Sequence, residues 1–441
     1  MFEVKPRTGV NRCVMQLRDK ILDMLKTAKS ASRALASISA KDKNRALIAM
    51  ARGLMKGYRY ILLRNAKDLG LARKKGLPAA MIDRLRLTEA RIKEMADGLK
   101  AVAGLKDPVG EVIKEWRRPN KLLIKKVRVP IGVIGIIYES RPNVTSDCAG
   151  LCLKSGNVCV LRGGSEAIHS NMAIHKVITK DLARYGIPAS AVSMVDIVDR
   201  KAIDELLAAP EFVDLIIPRG GKGLIRYVAK TSRVPVIKHY EGVCHLYVDK
   251  YADIKQAVDI AYNAKVQRPG VCNAIETLLV HEDIARKFLP RAAAMLQGAG
   301  VELRGCEKTR QILKGIKKAK EEDWYAEYLD LILAVKIVKD AGEAMQFINK
   351  YGSNHSDAIV TKNRKIAEEF LKKVDSACVY HNASTRFTDG YQFGMGAEIG
   401  ISTDRIHARG PMALEELCTY KYIILGSGQI RMGGGYEDAK N

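Results

Sequence analysis

The stretch "QRPGVCNAIETLLV", from Gln267 to Val280, sets a cysteine, Cys272, in a Pro-Gly turn just ahead of an apolar run. Arg268 stands at the entrance to that turn. A nearby cation lowers a thiol pKa towards the reactive thiolate, so the pair fits a nucleophile. The competing reading is a packed thiol, because free cysteine also behaves as a small hydrophobe. A second stretch, "YESRPNVTSDCAG", places Asn143 after a proline at the start of a helical pattern. Its side chain either caps that helix, the commoner role, or donates into a cleft. Two further stretches, "IIPRGGKGLIRYVAK" and "LRGGSEA", each read as strand, glycine turn and helix start. Gly220 and Gly221 lie in the first turn, Gly163 and Ser165 in the second. Backbone amides facing outward at a helix N-terminus suit phosphate. Two such turns with Arg162 are consistent with a dinucleotide, although neither is a Walker A or G-x-G-x-x-G motif. His239 and His245 bracket "YEGVC", but there is no HExxH and no Cys/His spacing, so no metal site is expected.

These residues fall at the joints of a regular pattern. Roughly the first hundred residues repeat apolar positions at helical spacing, and Ser39 with Asp42 makes a capping-box-like start. "EVIKEWRRPNKLLIKKVRV" then alternates around a Pro-Asn turn, as an exposed hairpin does. Strand-like runs follow at Ile131–Tyr138, Val158–Arg162, Val192–Ile197, Val213–Pro218 and Val234–Lys238, separated by helical stretches. That alternation predicts a parallel sheet covered on both faces. A second alternation begins with a helix over Ile254–Lys265 and a strand over Ala274–Val280. A helix over "EDIARKFLPRAAAMLQ" follows, with strands at Leu331–Val338, Ala358–Thr361 and Ala377–Tyr380. The tail "TYKYIILGSGQIR" reads as one more strand, for the hairpin or for another subunit.

With 441 residues and 47% apolar content, the chain is long enough for two or three domains. No apolar run approaches about 18 residues, and the N-terminus lacks an apolar signal core, so a soluble cytoplasmic protein is expected. Nine cysteines without metal or disulfide spacing fit a reducing compartment. The formal charge of +25 admits nucleic acid or a polyanionic small substrate. Lys and Arg are spread evenly without basic blocks or interleaved aromatics, which disfavours nucleic acid.

The motifs "VPIGVIGIIYESRPNVTSDCAGLCLKSGNVCVLRGGSEAIHSN", "QRPGVCNAIETLLV", "YGSNHSDAIVT" and "GISTDRIHARGPMALEELCTYKYIILG" occur in an order that resembles the γ-glutamyl phosphate reductases (glutamate-5-semialdehyde dehydrogenases) of the aldehyde dehydrogenase superfamily. The resemblance covers nearly the whole chain and leaves no length for a fused kinase domain. It implies an aldehyde dehydrogenase-like α/β fold: two successive α/β domains, one for cofactor and one catalytic, with a small β oligomerisation extension. The helical region and the NADP-binding domain would take residues 1–252, with the hairpin 111–129 in the extension. Residues 253–383 would form the catalytic domain, and 384–441 would return to the cofactor domain and end in the oligomerisation strand.

The implied reaction is NADPH-dependent reduction of L-glutamyl 5-phosphate to the semialdehyde, with release of phosphate, in proline synthesis. Cys272 would be the nucleophile, and Asn143 and the Cys272 N–H would be oxyanion donors. The resemblance places the cofactor, NADP(H), against Arg162, Gly163, Ser165, Gly220 and Gly221, with Glu327 at the nicotinamide ribose. Glu166 would repel a 2′-phosphate if it pointed inward. The family motifs contribute Arg141, Arg268, His355, Ser356, Thr403 and Arg409 as substrate contacts, without assigning each to a group. They also imply a homo-oligomer, at least a dimer, and a glutamate 5-kinase as partner; no membrane contact is implied. At the place where hydrolytic relatives keep a water-activating glutamate, "IKHYEGVCH" offers His239 or Glu241. The alternatives are a hydrolytic aldehyde dehydrogenase for another aldehyde, and a basic nucleic-acid-binding protein on the same fold.

Overall fold

The computed structural model describes residues 8–238 and 240–431, and the chain forms two compact units. The first takes the chain up to Ile237 and again from Ala413; the second runs from Lys238 to Met412.

The first unit opens on the helices Thr8–Leu35, Ala40–Lys74, Ala79–Leu85 and Glu89–Gly104. The second of these starts where its sequence predicts: the Ser39 hydroxyl accepts the Asp42 N–H at 3.1 Å. The Asp42 carboxylate takes the Ser39 hydroxyl proton at 2.7 Å, so only half of a capping box forms. Parallel strands then order as Val192–Met194, Val158–Gly163, Val133–Tyr138 and Leu215–Arg219. The two middle strands are buried at every residue, as a parallel sheet covered on both faces requires. The strand expected at Val234–Lys238 shrinks to one bridge between Ile216 and Val236. Pro235 has no N–H to extend the pairing on one side and Pro218 none on the other, so only the Pro235 carbonyl and the Ile237 amide meet Ile216.

The hairpin Val112–Arg117 and Leu123–Pro130 pairs antiparallel, with Trp116 opposite Ile124. The terminal strand Cys418–Leu425 pairs with the hairpin's second strand, Leu425 opposite Leu123. In this three-stranded sheet the Lys126 ammonium lies 3.5 Å above the Tyr420 ring, while Tyr422, Ile424 and Leu425 stay exposed.

The second unit is built on a parallel sheet of seven strands. Their order is Lys317–Lys318, Glu302–Gly305, Ile332–Val338, Ile275–His281, Cys244–Val248, Ser356–Val360 and Cys378–His381. Side chains alternate between two cores. Leu246, Leu278 and Val335 pack with the helices Ile254–Val266 and Glu282–Gly298. Tyr247, Leu279 and Ala334 pack with Ala341–Tyr351 and Arg364–Lys373 on the other face. Cys244–Val248 is hydrogen-bonded inside this sheet, so the unit begins before the boundary expected at 252/253. It also runs past 383, through the antiparallel pair Gly400–Ser402 and Gly410–Met412. No described helix is long and apolar enough to cross a membrane.

Candidate active site

Cys272 sits in the turn between the helix Ile254–Val266 and the strand Ile275–His281 of the second unit. Of the cysteines with described side chains, it and Cys306 are half-buried and the rest are buried. Partial exposure is what a nucleophile needs and a packed thiol lacks.

Later parts of the chain brace the turn. Asn273, next to the thiol, receives the Thr385 hydroxyl on its backbone carbonyl at 2.7 Å. Its side-chain amide donates to the Thr388 carbonyl at 2.8 Å, and its side-chain oxygen accepts an Arg386 Nη1–H. Arg386 Nε donates to Gln267 Oε1 at 2.8 Å, so one guanidinium bridges both ends of the turn. From the other side, Gly242 packs on the nucleophile's backbone: a Cβ there would lie 2.6 Å from the Cys272 Cα. Its amide donates to Glu327 Oε1 at 2.8 Å. Glu327, expected at the cofactor ribose, thus carries the segment that touches Cys272.

Behind the turn lies a polar network. The Cys244 thiol donates to the Cys272 carbonyl at 3.1 Å and lies 3.6 Å from His355 Nδ1. Burial pushes the Cys244 thiol well above its usual range and keeps it a protonated donor. His355 Nδ1 meets Ser356 Oγ at 2.9 Å, and Ser356 Oγ meets Thr388 Oγ1 at 2.6 Å. The Tyr380 hydroxyl completes the chain at 2.7 Å from Thr388 Oγ1. His355 and Ser356, expected as substrate contacts, are both fully buried in this network behind the nucleophile's segment.

Arg268 is exposed and has no hydrogen-bond or ion-pair partner among the described residues. Arg409 commits its fork to Asp375, with Nη1 on Oδ1 at 2.8 Å and Nη2 on the carbonyl at 3.0 Å. Arg409, with Arg405 beside it, holds the Asp375 carboxyl below the usual range. The buried Arg409 Nε has no partner among the described residues. Thr403 is half-buried and gives its amide to the Lys238 carbonyl at 3.2 Å. Glu241 is half-buried beside Gly242, while His239 lies outside the described residues.

The first unit carries the other expected residues around a cavity of about 580 Å³. Arg162, Ser165 and Gly221 line it, together with Tyr138, Glu166, Arg200 and Tyr227. Arg162 is buried and donates Nη2 to the Val198 carbonyl at 3.1 Å; its buried Nε has no partner among the described residues. An orphaned guanidinium N–H with a second arginine in one cavity fits an anionic nucleotide. Glu166, half-buried, lines the same cavity, and its Oε1 accepts the Ser140 amide at 2.6 Å and hydroxyl at 2.7 Å. Gly163 and Gly220 do not line the cavity. A Cβ on Gly163 would run into the Asn171 amide, and one on Gly220 into the end of the Glu139 side chain, so a larger residue at either would displace that side chain. The outward amide expected at Gly221 is also corrected: it donates to Glu139 Oε2 at 2.8 Å. The protein's own carboxylate takes that end of the helix Lys222–Thr231.

Asn143 precedes the helix Val144–Lys154 but its side chain makes no capping bond. It donates Nδ2–H to Asp147 Oδ2 at 2.9 Å instead of capping, and one amide hydrogen remains. Burial pushes the Asp147 carboxyl up to about 6. Arg141, in the same loop, is exposed. Sequence reasoning passed over Arg386, Asn273, Gly242 and Cys244, whose parts depend on partners far along the chain; Arg200 was missed because nothing local marks it.

The aldehyde dehydrogenase family model matches residues 5–310. A γ-glutamyl phosphate reductase of Desulfatibacillum aliphaticivorans is 56% identical over 417 residues, 95% of this chain and 100% of that protein. The crystal structure of γ-glutamyl phosphate reductase from Thermotoga maritima superposes with a TM-score of 0.92 at 50% identity, covering 93% of this chain and 100% of that one. A glyceraldehyde-3-phosphate dehydrogenase from Methanocaldococcus jannaschii, complexed with NADP, shares the fold at a TM-score of 0.66 and 18% identity; the match covers 93% of this chain and 95% of that one. On this likeness, which spans both units and the braced cysteine, the chain belongs to the γ-glutamyl phosphate reductases of the aldehyde dehydrogenase family.

Proposed function

We propose that this protein reduces L-glutamyl 5-phosphate to L-glutamate 5-semialdehyde with NADPH, releasing phosphate, by way of a thioester on Cys272. The observation that carries the reading is the half-exposed thiol on a turn braced at Gln267, Asn273 and Gly242. The Cys272 sulfur bonds to the acyl carbon, the carbon–oxygen bond to phosphate breaks, and the phosphate leaves with that electron pair. A reduced nicotinamide, when bound, supplies the hydride that the thioester carbon accepts. The resulting thiohemiacetal collapses to the aldehyde and returns the thiolate. Each addition loads negative charge onto one oxygen. The Cys272 N–H and the second amide hydrogen of Asn143 are the proposed donors, and losing one such donor costs about 10²–10³ in rate.

The preference for NADP(H) over NAD(H) is supported by Arg162 and Arg200 in one cavity, with the buried Arg162 Nε left without a partner among the described residues. We further propose a cytoplasmic homo-oligomer joined through the three-stranded sheet, whose outer strands leave Val112, Tyr422 and Ile424 exposed. A glutamate 5-kinase is the partner that would deliver the short-lived acyl phosphate.

The test runs the reaction backwards: NADP⁺ reduction by glutamate semialdehyde, with and without phosphate, for wild type and Cys272→Ala. Growth of absorbance that requires phosphate and vanishes in the variant is the expected result. Turnover indifferent to phosphate would overturn the reading in favour of a hydrolytic dehydrogenase and direct attention to Glu241. A chain that binds nucleic acid with a steep salt dependence and shows no turnover would overturn it entirely.

A further inference from the structure

Two guanidinium groups meet at the Cys272 turn, and neither has an ion-pair partner among the described residues. Arg268 is exposed and bonded to nothing in the described chain. Arg386 is fixed by Gln267 Oε1 and Asn273 Oδ1, both neutral amide oxygens, so its position is set while its charge is left uncancelled. Its Nη2 has no bond among the described residues. Burial, and next the charge of Arg268, push the Arg386 pKa down, while Cys272 draws it back up; the three groups share one locale. The nearest acidic influence, Asp389, acts more weakly on Arg386 than Arg268 does. Its Oδ1 accepts the amides of Tyr391 and Gln392 at 2.9 and 3.2 Å.

A protein does not hold two uncancelled cations beside a nucleophile without cost, because each repels the other. A dianion removes that repulsion, and guanidinium N–H groups match the oxygens of a phosphate. We infer that Arg268 and Arg386 form the phosphoryl subsite: they hold the phosphate of the acyl phosphate, or free phosphate in the reverse direction. The inference rests on the reaction proposed above and names the group these two arginines bind. As the sulfur–carbon bond forms and the carbon–oxygen bond breaks, charge grows on the departing oxygen, where both cations stabilise it. The thiol proton, already lost to solvent or passed to phosphate, balances the step. The reverse step uses the same pair to aim a phosphate oxygen at the thioester carbon.

Arg268 gives the decisive variant, since it makes no bond within the described chain and its loss leaves the turn braced. Arg268→Gln should raise the KM for phosphate at least about tenfold in semialdehyde-dependent NADP⁺ reduction, the scale of losing a charge-assisted bond. The KM for semialdehyde should stay within about twofold of wild type. Arg386→Lys, which keeps the charge, should raise the phosphate KM less than Arg386→Gln does. A readout independent of turnover is alkylation of Cys272 by iodoacetamide, which phosphate should slow in wild type but not in Arg268→Gln. Phosphate KM and phosphate protection both unchanged in Arg268→Gln, in an enzyme whose wild type requires phosphate, would overturn the inference alone. A rise confined to the semialdehyde KM would overturn it too and move Arg268 to the α-carboxylate. Wild-type turnover without phosphate would instead overturn the proposed function.

Discussion

Gly242→Ala is the sharpest test of how the nucleophile is held. The new methyl carbon would lie 2.6 Å from the Cys272 Cα and closer still to its carbonyl oxygen. Carbon atoms in comfortable contact sit about 3.5–4.0 Å apart, so one backbone segment must retreat by about 1 Å. Neither obstacle is the loose end of a side chain, and the Gly242 amide is tied to Glu327 at 2.8 Å. Overpacking of this kind costs about 1–3 kcal/mol of stability. Displacing a catalytic group by about 1 Å costs on the order of 100-fold in rate. We expect kcat/KM for phosphate-dependent NADP⁺ reduction to fall on the order of 100-fold and Tm to drop by several degrees, with slower alkylation of Cys272. Cofactor affinity in the first unit should not change. A variant with kcat/KM within about threefold of wild type and an unshifted Tm would refute the claim that Gly242 sets the position of Cys272.

The buried pair of Lys265 Nζ and Glu276 Oε2, 2.5 Å apart and both fully enclosed, predicts a large asymmetry between single and double variants. Lys265→Met strands a carboxylate and should cost about 3–5 kcal/mol in urea unfolding, whereas Lys265→Met/Glu276→Leu should recover most of it. In the wild-type pair, burial already raises the Glu276 carboxyl to about 7, so the single variant should regain stability as pH falls and that carboxyl takes a proton. Asp147 makes a pH prediction. Its carboxyl keeps a proton up to about 6 in the folded chain but only to about 4 when unfolded. The folded state therefore binds more protons across that window, and this group's contribution to stability falls as pH rises through it. Asp147→Asn should flatten the slope of unfolding midpoints measured between pH 4 and pH 6.5.

What the sequence disclosed tracks how local each signal is. Val133–Tyr138 and Ile275–His281 are continuous apolar runs between turn residues, and such runs announce buried strands. Cys244–Val248 went unread because His245 interrupts it. That histidine is buried only because its amide and Nδ1 both reach Asp357 Oδ1 at 2.8 Å, an acceptor more than a hundred residues away. The chemistry divides in the same way. Cys272 was legible as one of two things, a packing thiol or a nucleophile, and exposure of its side chain separates them. His355 and Ser356 were noticed as polar residues in a motif, yet polarity alone does not say whether a group faces a ligand or a buried hydroxyl. Arg386 gave no local sign, since its partners Gln267 and Asn273 stand over a hundred residues earlier.

That same separation bears on how the enzyme is made. Thr385, Arg386 and Thr388 supply the bonds that shape the Cys272 turn, and the ribosome reaches them long after the cysteine. The interior strand Cys244–Val248 likewise waits for Ser356–Val360 on one of its edges. A nascent chain that has emerged as far as the strand Ile275–His281 therefore displays the thiol without its brace. Its reactivity is switched on by the completion of distant sequence, so a chain cut short before Thr385 keeps the nucleophile and lacks the catalyst.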